Sequence, residues 1–267
     1  MSDRFNQPFE ITPSVREAVK RFEEYMIKKD PITYKHCKDV ETKVRAFYMS
    51  MPKRFWAHMG VNRNEISDKI DELSIGALMH DAGKLFIDDS ILKKEGPLDD
   101  KEFLAIQKHP QMGLDFLSEE LLKSDIVKDS ILFHHESFTG SRGYPTHVTG
   151  DTIPFAARVV AVADVHDALS AKRQYKDIIP QEKVAEMLKT DPKLDQRIVS
   201  MSVDLFTKME MDNERVGNDI SMDMQKVKKL ENNSIFTMSL DNAIKNIGNR
   251  APKSNNVVNR DDNNIDK

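Results

Sequence analysis

Cysteine is nearly absent: Cys37 is the single one in 267 residues, so no internal disulfide can form and a reducing compartment is the expected setting. No apolar run approaches the roughly 20 residues that span a bilayer, and a mean hydropathy of −0.55 argues against a membrane anchor. Met1 to Glu10 has neither the basic start nor the apolar stretch of a secretion signal, so the cytoplasm is the expected location. Basic excess is missing too. Forty Lys and Arg stand against 44 Asp and Glu, a formal charge of −4, which argues against a general DNA or RNA binder. Any anionic ligand must be attracted by a local cluster of cations.

Strand-like alternation is also lacking, and what is present is helical periodicity. Thr12 followed by Pro13 predicts a helix to about Lys29, and Pro31 opens a second to about Met51. Further helices are expected over about 65–82, 99–107, 110–123, 125–136, 154–172, 180–189 and 194–209. The Gly- and Pro-containing stretch from Gly140 to Pro154 reads as a mobile or ligand-facing loop. A hydrophobic fraction of 39% permits a sizeable core, and the 14 methionines read as part of it. The expected organisation is an N-terminal arm over 1–11, one all-α domain over 12–210 and a polar extension over 211–267. That extension holds a short helix near Phe236 to Ile247 and a disordered Asn- and Asp-rich end from Ser254 to Lys267.

The chemistry-bearing residues begin with His80 and Asp81, which close an apolar run (Leu73, Ile75, Ala77, Leu78, Met79) and precede Gly83 and Lys84. An imidazole beside a carboxylate at the edge of a core can hold a divalent metal with nitrogen and oxygen donors. His134 and His135 end a helix, and the ~100° between neighbouring helical side chains favours two different ions over one. Asp164 lies in Phe155 to Leu169, apolar around nearly its whole circumference, so it is either metal-bound or paired with an arginine such as Arg158. His36 alone reads as an ordinary half-buried histidine, and His109 alone as a surface or capping residue. No serine has a neighbourhood resembling a catalytic triad.

Taken in order, these pieces resemble the HD-GYP phosphodiesterases of cyclic dinucleotide signalling, within the HD superfamily of metal-dependent phosphohydrolases. The resembling residues are Asp30 to Thr33 with His36; His80, Asp81, Ala82, Gly83 and Lys84; His109, Pro110 and Gly113; and His134, His135 and Glu136. Gly143, Tyr144 and Pro145 follow, then Ile153, Pro154, Ala157 and Arg158, then Val162 to Val165 with Asp167 to Leu169, then Arg173, Tyr175 and Lys176. The resemblance covers about residues 12–205. It implies an all-α HD-type helical bundle with two divalent ions, iron or manganese. The implied metal ligands are His36, His80, Asp81, His109, His134, His135 and Asp164, with Asp81 bridging. Lys84, Arg173 and Lys176 are implied to contact phosphate, and Gly143, Tyr144 and Pro145 to line the substrate. The implied reaction is hydrolysis of cyclic di-GMP by a metal-activated hydroxide to linear pGpG, or on to GMP, with His80, Asp81 and Lys84 central to it.

Two departures matter. Ile32 stands where members with a third metal carry glutamate, so two ions and a linear product are expected. The loop from Ser137 to Arg142 is one residue longer than the family pattern and lacks its aspartate. A weakly catalytic receptor or scaffold, and an HD phosphohydrolase for another nucleotide, therefore remain as alternatives, and a homodimer or regulatory partner stays open. His166, two residues from Asp164, points about 200° away and is not expected to ligate. Asp167, one turn from Asp164, is expected either to orient a metal histidine or to make structural contacts.

Overall fold

The computed structural model describes residues 2–171 and 179–231. The chain divides into two compact units, Met1–Asp212 and Asn213–Lys267. The described residues form helices, turns and loops, without strands: α1 Ser2–Phe5, α2 Pro13–Lys29, α3 Pro31–Ser50, α4 Lys53–His58, α5 Ile66–Leu78, α6 Asp89–Leu92, α7 Asp100–Ile106, α8 His109–Phe116, α9 Asp125–Phe133, α10 Phe155–Ser170, α11 Gln181–Thr190 and α12 Gln196–Glu231. The segments Phe236 to Ile247 and Ser254 to Lys267, and Arg173, Tyr175 and Lys176, lie outside the described residues.

The helix starts follow side-chain capping. The Thr12 hydroxyl accepts from Val15 N at 3.3 Å, with Pro13 supplying a fixed φ at the first helical position. Asp30 caps α3 by accepting from Ile32 N at 3.1 Å and from the Thr33 hydroxyl at 2.6 Å. Ser124 caps α9 and donates to Glu72 of α5 at 2.6 Å, joining two helices through one hydroxyl.

Helix α10 is the centre. Its buried Ala156, Ala157, Val159, Val160, Val162 and Ala163 leave no polar stripe, as a helix covered on all sides requires. It packs on α3, α9 and α11. Val40, Val44, Phe47 and Tyr48 of α3 meet it in one apolar cluster with Leu73, Ile126 and Phe206. A second cluster joins α2 (Val15, Phe22, Met26) to Cys37, Leu78, Met79, Val127 and Ile131. Helices α3, α5 and α9 contribute to both clusters, and the chemistry-bearing residues lie on α3, just past the ends of α5 and α9, at the start of α8 and on α10.

Several sequence expectations need correction. Within the expected N-terminal arm, Phe5 is buried against Tyr48 and Phe155, and Arg4 pairs with Asp129. Four residues carry no periodicity, so α1 left no trace in the pattern. The helix expected over 110–123 stops at Phe116, and those over 65–82 and 125–136 stop at Leu78 and Phe133. Helix α12 continues past 209 to Glu231, because loss of an apolar face does not end a helix when proline is absent and most residues are good helix formers.

Gly83 opens the close approach on which the centre rests. It lies in the 3₁₀ turn Ala82–Phe86, which packs on α8, and a Cβ there would meet His109 O at 1.8 Å and Gly113 N at 2.7 Å. Those are backbone atoms and cannot swing aside. Gly83→Ala is expected to cost about 3 kcal/mol or more by overpacking, read as a lower urea midpoint; wild-type stability in this variant would show that the turn does not press on α8.

Candidate metal centre

Three histidines are aimed by one local device. The last carbonyls of a helix have no intrahelical donor, and here histidines three residues further along supply one. His80 Nδ1 donates to Ala77 O at 2.7 Å, His109 Nδ1 to Ile106 O at 2.8 Å and His134 Nδ1 to Ile131 O at 2.9 Å. A carbonyl can only accept, so each Nδ1 carries the proton and each Nε2 presents a lone pair. This capping explains why α5 and α9 end before the histidines.

Those lone pairs converge on Asp81. His80 Nε2 lies 3.3 Å from Asp81 Oδ2, while His109 Nε2 and His134 Nε2 lie 3.2 and 3.9 Å from Oδ1 and 3.2 Å from each other. The four side chains are at most 1% exposed, and His80 Nε2 and Asp81 Oδ1 have no hydrogen-bond partner among the described residues. Buried acceptors facing acceptors need a cation between them. The nitrogen and oxygen donors fit divalent metals of the first transition row.

Two donor groups emerge: Asp81, His109, His134 and His135, and His36, His80 and Asp81. Asp81 belongs to both. Asp164 lies beside the second group, with Oδ1 3.0 Å from His36 Nε2. All seven residues singled out as ligands in the sequence are therefore brought together. One geometric argument fails: His134 and His135 fall in the same donor group, their ring centroids 4.1 Å apart. Helix α9 has ended at Phe133, so the 100° divergence of helical neighbours does not apply.

The electrostatics follow from burial and pairing. Burial opposes ionisation of Asp81, but the Lys84 ammonium 2.6 Å from Oδ2 holds its pKa well below the carboxylate range. Burial pushes His134 well below its usual value and His135 down to about 3, so both remain neutral. His36 behaves oppositely. Burial disfavours its charge, yet hydrogen bonds to Asp164 and to Asp167, whose Oδ2 lies 2.6 Å from Nδ1, raise it to about 10. Asp167 thus contacts a metal-site histidine from behind. Its other oxygen accepts from Lys43 at 2.8 Å. Lys43 was missed in the sequence, although it stands seven residues after His36 on the same helical face.

Beside the centre lies a cavity of about 590 Å³, lined by His134, His135, Asp164, Tyr144, Arg142 and Lys193 among others. Tyr144 stacks on His135 with centroids 4.7 Å apart. The loop after α9 lines this cavity and is pinned in place. Glu136 Oε1 accepts from Thr146 N, the Thr146 hydroxyl and His147 N, Tyr144 N donates to His135 O, and Phe138 N donates to Lys193 O. A Cβ at Gly143 would lie 2.4 Å from Ser137 N, so glycine lets the loop turn back on itself. Arg142 and His147 hold φ of 61°, a strained conformation for side-chain-bearing residues, and both line the cavity. Arg158 pairs with Asp151 and Asp195. His166 is buried against Phe206, away from the donors, as the helical angle predicted. Phe103, Gln107, Asp191 and Lys193 also face the cavity, and no local sequence pattern marks them.

A profile of the HD domain matches residues 40–198 of the 267. The chain belongs to the HD-domain family. This agrees with the resemblance to HD-GYP proteins read from the motifs. Over 119 residues this HD domain is 42% identical to the 3′3′-cGAMP-specific phosphodiesterase 2 of Vibrio cholerae, covering 44% of this chain and 23% of that protein. It is 38% identical over 125 residues to a cyclic di-GMP phosphodiesterase of the same organism, covering 45% and 25%. To the cyclic di-GMP phosphodiesterase response regulator RpfG of Xanthomonas campestris it is 41% identical over 111 residues, covering 41% and 29%. The chain thus spans about a quarter of the length of the curated relatives it matches.

The His36 arrangement predicts a pH dependence of the chelator-treated protein. Its folded pKa is raised from 6.5 to about 10, so its contribution to stability is complete below 6.5 and is lost as pH rises through about 10. Urea unfolding is expected to show lower stability at pH 10 than at pH 7, with a shallower decline in His36→Gln. An equal decline in that variant would remove the imidazolium as its source.

Proposed function

We propose that this HD domain is of the HD-GYP type and hydrolyses a phosphodiester bond of a cyclic dinucleotide, cyclic di-GMP first, at a centre of two divalent ions, iron or manganese. The observation that carries the reading is Asp81, a buried carboxylate shared by two donor groups, with its own Oδ1 and the facing His80 Nε2 unpartnered among the described residues. His36, His80, Asp81 and Asp164 would hold one ion, and Asp81, His109, His134 and His135 the other. When bound, such a pair supplies Lewis acidity toward phosphoryl oxygens and a water acidified toward neutral pH.

The chain's own residues do the rest. Lys84 keeps a raised pKa beside Asp81, and an ammonium has three donors, so two N–H groups are left for a non-bridging phosphate oxygen. Tyr144 and the cavity wall exclude water and offer a ring against which a base or ribose can lie. Arg142 and Lys193 bring positive charge to a protein of net charge −4. Arg173 and Lys176 are proposed as further phosphate contacts. With Ile32 in place of a third-metal carboxylate, the favoured product is linear pGpG. The cytoplasm is the compartment that suits this substrate class.

A second substrate, 3′3′-cGAMP, is favoured by the relative bearing that specificity. Protein purified anaerobically and supplied with ferrous iron or manganese, assayed for metal content and for hydrolysis of both dinucleotides, separates the readings. About two ions per chain with formation of pGpG is expected; two ions without turnover of either dinucleotide would leave a receptor. Asp81→Ala is expected to lose metal and activity together. Lys84→Ala should keep both ions while kcat falls by roughly 10²–10³-fold, the usual effect of removing one transition-state donor. Full activity in that variant would take Lys84 out of its role.

A further inference from the structure

Lys43 is a charged residue in a place that asks for an explanation. Its side chain is 3% exposed, and its ammonium lies 2.8 Å from Asp167 Oδ1 and 2.5 Å from Glu210 Oε1. Lysine is almost never buried without partners. Here the partners form a line: Glu210 on α12, Lys43 on α3, Asp167 on α10, and His36 back on α3, whose Nδ1 meets Asp167 Oδ2 at 2.6 Å. Among the described residues helix α12 supplies none to either donor group, yet through Glu210 it reaches the rear of a candidate metal histidine.

A carboxylate that orients an imidazole from behind does so stiffly only when its other oxygen is also held. Lys43 holds Asp167 Oδ1, and Glu210 holds Lys43. His80, His109 and His134 are aimed by backbone carbonyls within three residues of themselves. His36 depends instead on a side-chain line assembled from three helices. We propose that Lys43 and Glu210 are positioning residues through which α12 fixes the direction of His36 Nε2, and so sets the affinity of the half of the centre formed by His36, His80, Asp81 and Asp164. The inference rests on the binuclear reading given above.

The test titrates the full chain, stripped by chelator, with manganese under anaerobic conditions, reading stoichiometry, two dissociation constants and the electron paramagnetic resonance signal of a coupled manganese pair. Lys43→Met is expected to bind one ion as the wild type does and the other about 10–100-fold more weakly, the usual range for loss of an outer partner. The coupled signal should give way to that of isolated manganese at sub-saturating metal. Glu210→Gln, at a partly exposed position, is expected to weaken the same ion by a smaller factor. General destabilisation would not single out one ion of two. Wild-type affinity for both ions in Lys43→Met overturns the inference; if that variant does not fold, an unchanged pair of constants in Glu210→Gln overturns it. A wild-type protein that binds fewer than two ions overturns the binuclear reading itself, and this inference with it.

Discussion

Asp81 carries its charge in the interior, and much of the surrounding structure is arranged to make that tolerable. Burying an unpaired carboxylate costs far more than a domain's net stability can absorb. Lys84 supplies one opposing charge from three residues away, held by the same 3₁₀ turn that presses on α8. The nearby imidazoles do not finish the task, because their protons point away toward helix carbonyls. The remaining demand for positive charge is what makes this buried polar cluster a candidate for a divalent metal. An ordinary buried ion pair would have turned N–H groups inward.

The contrast between the two sides of the site is equally physical. On the donor side the groups are buried and oriented by short local hydrogen bonds. On the cavity side the wall is a loop held by Glu136 and by contacts to the segment before α12, with Arg142 and His147 in strained backbone conformations. The donor side fixes what reaction is chemically accessible. The cavity side fixes which molecule can reach it, and there the chain departs from the family pattern by an added residue and a missing aspartate. Relatives named for cyclic di-GMP and for 3′3′-cGAMP both align with this chain at similar identity, so overall similarity does not separate the two named specificities.

That the donor residues come together was legible through the family resemblance of the ordered motifs, whereas His36 and His109 alone read as ordinary residues, and the ends of α2 and the start of α3 were legible because Thr12, Pro13, Asp30 and Pro31 act within one turn. The overshoot at α5 and α9 has a single cause: periodicity registers which face is apolar, and it does not register a histidine taking over a helix carbonyl. The same cause made the His134 and His135 directions wrong. Phe5, Lys43 and Lys193 were invisible for a different reason. Their roles come from partners far along the chain, such as Phe155, Asp167 and the loop at Phe138, and no local pattern encodes such a partner.

The i to i−3 histidine locks also bear on how such a protein can diverge. Each lock is closed by a carbonyl three residues back on the same stretch of chain, so the direction of that imidazole is inherited with a fragment of four residues. Insertions elsewhere leave it untouched. The loop between Glu136 and Gly143 can lengthen and change sequence without redirecting His80, His109 or His134. Evolution can therefore alter the lining of the cavity while the donor half of the site stays in register. His36, whose aim depends on three helices, is the donor on which that independence ends.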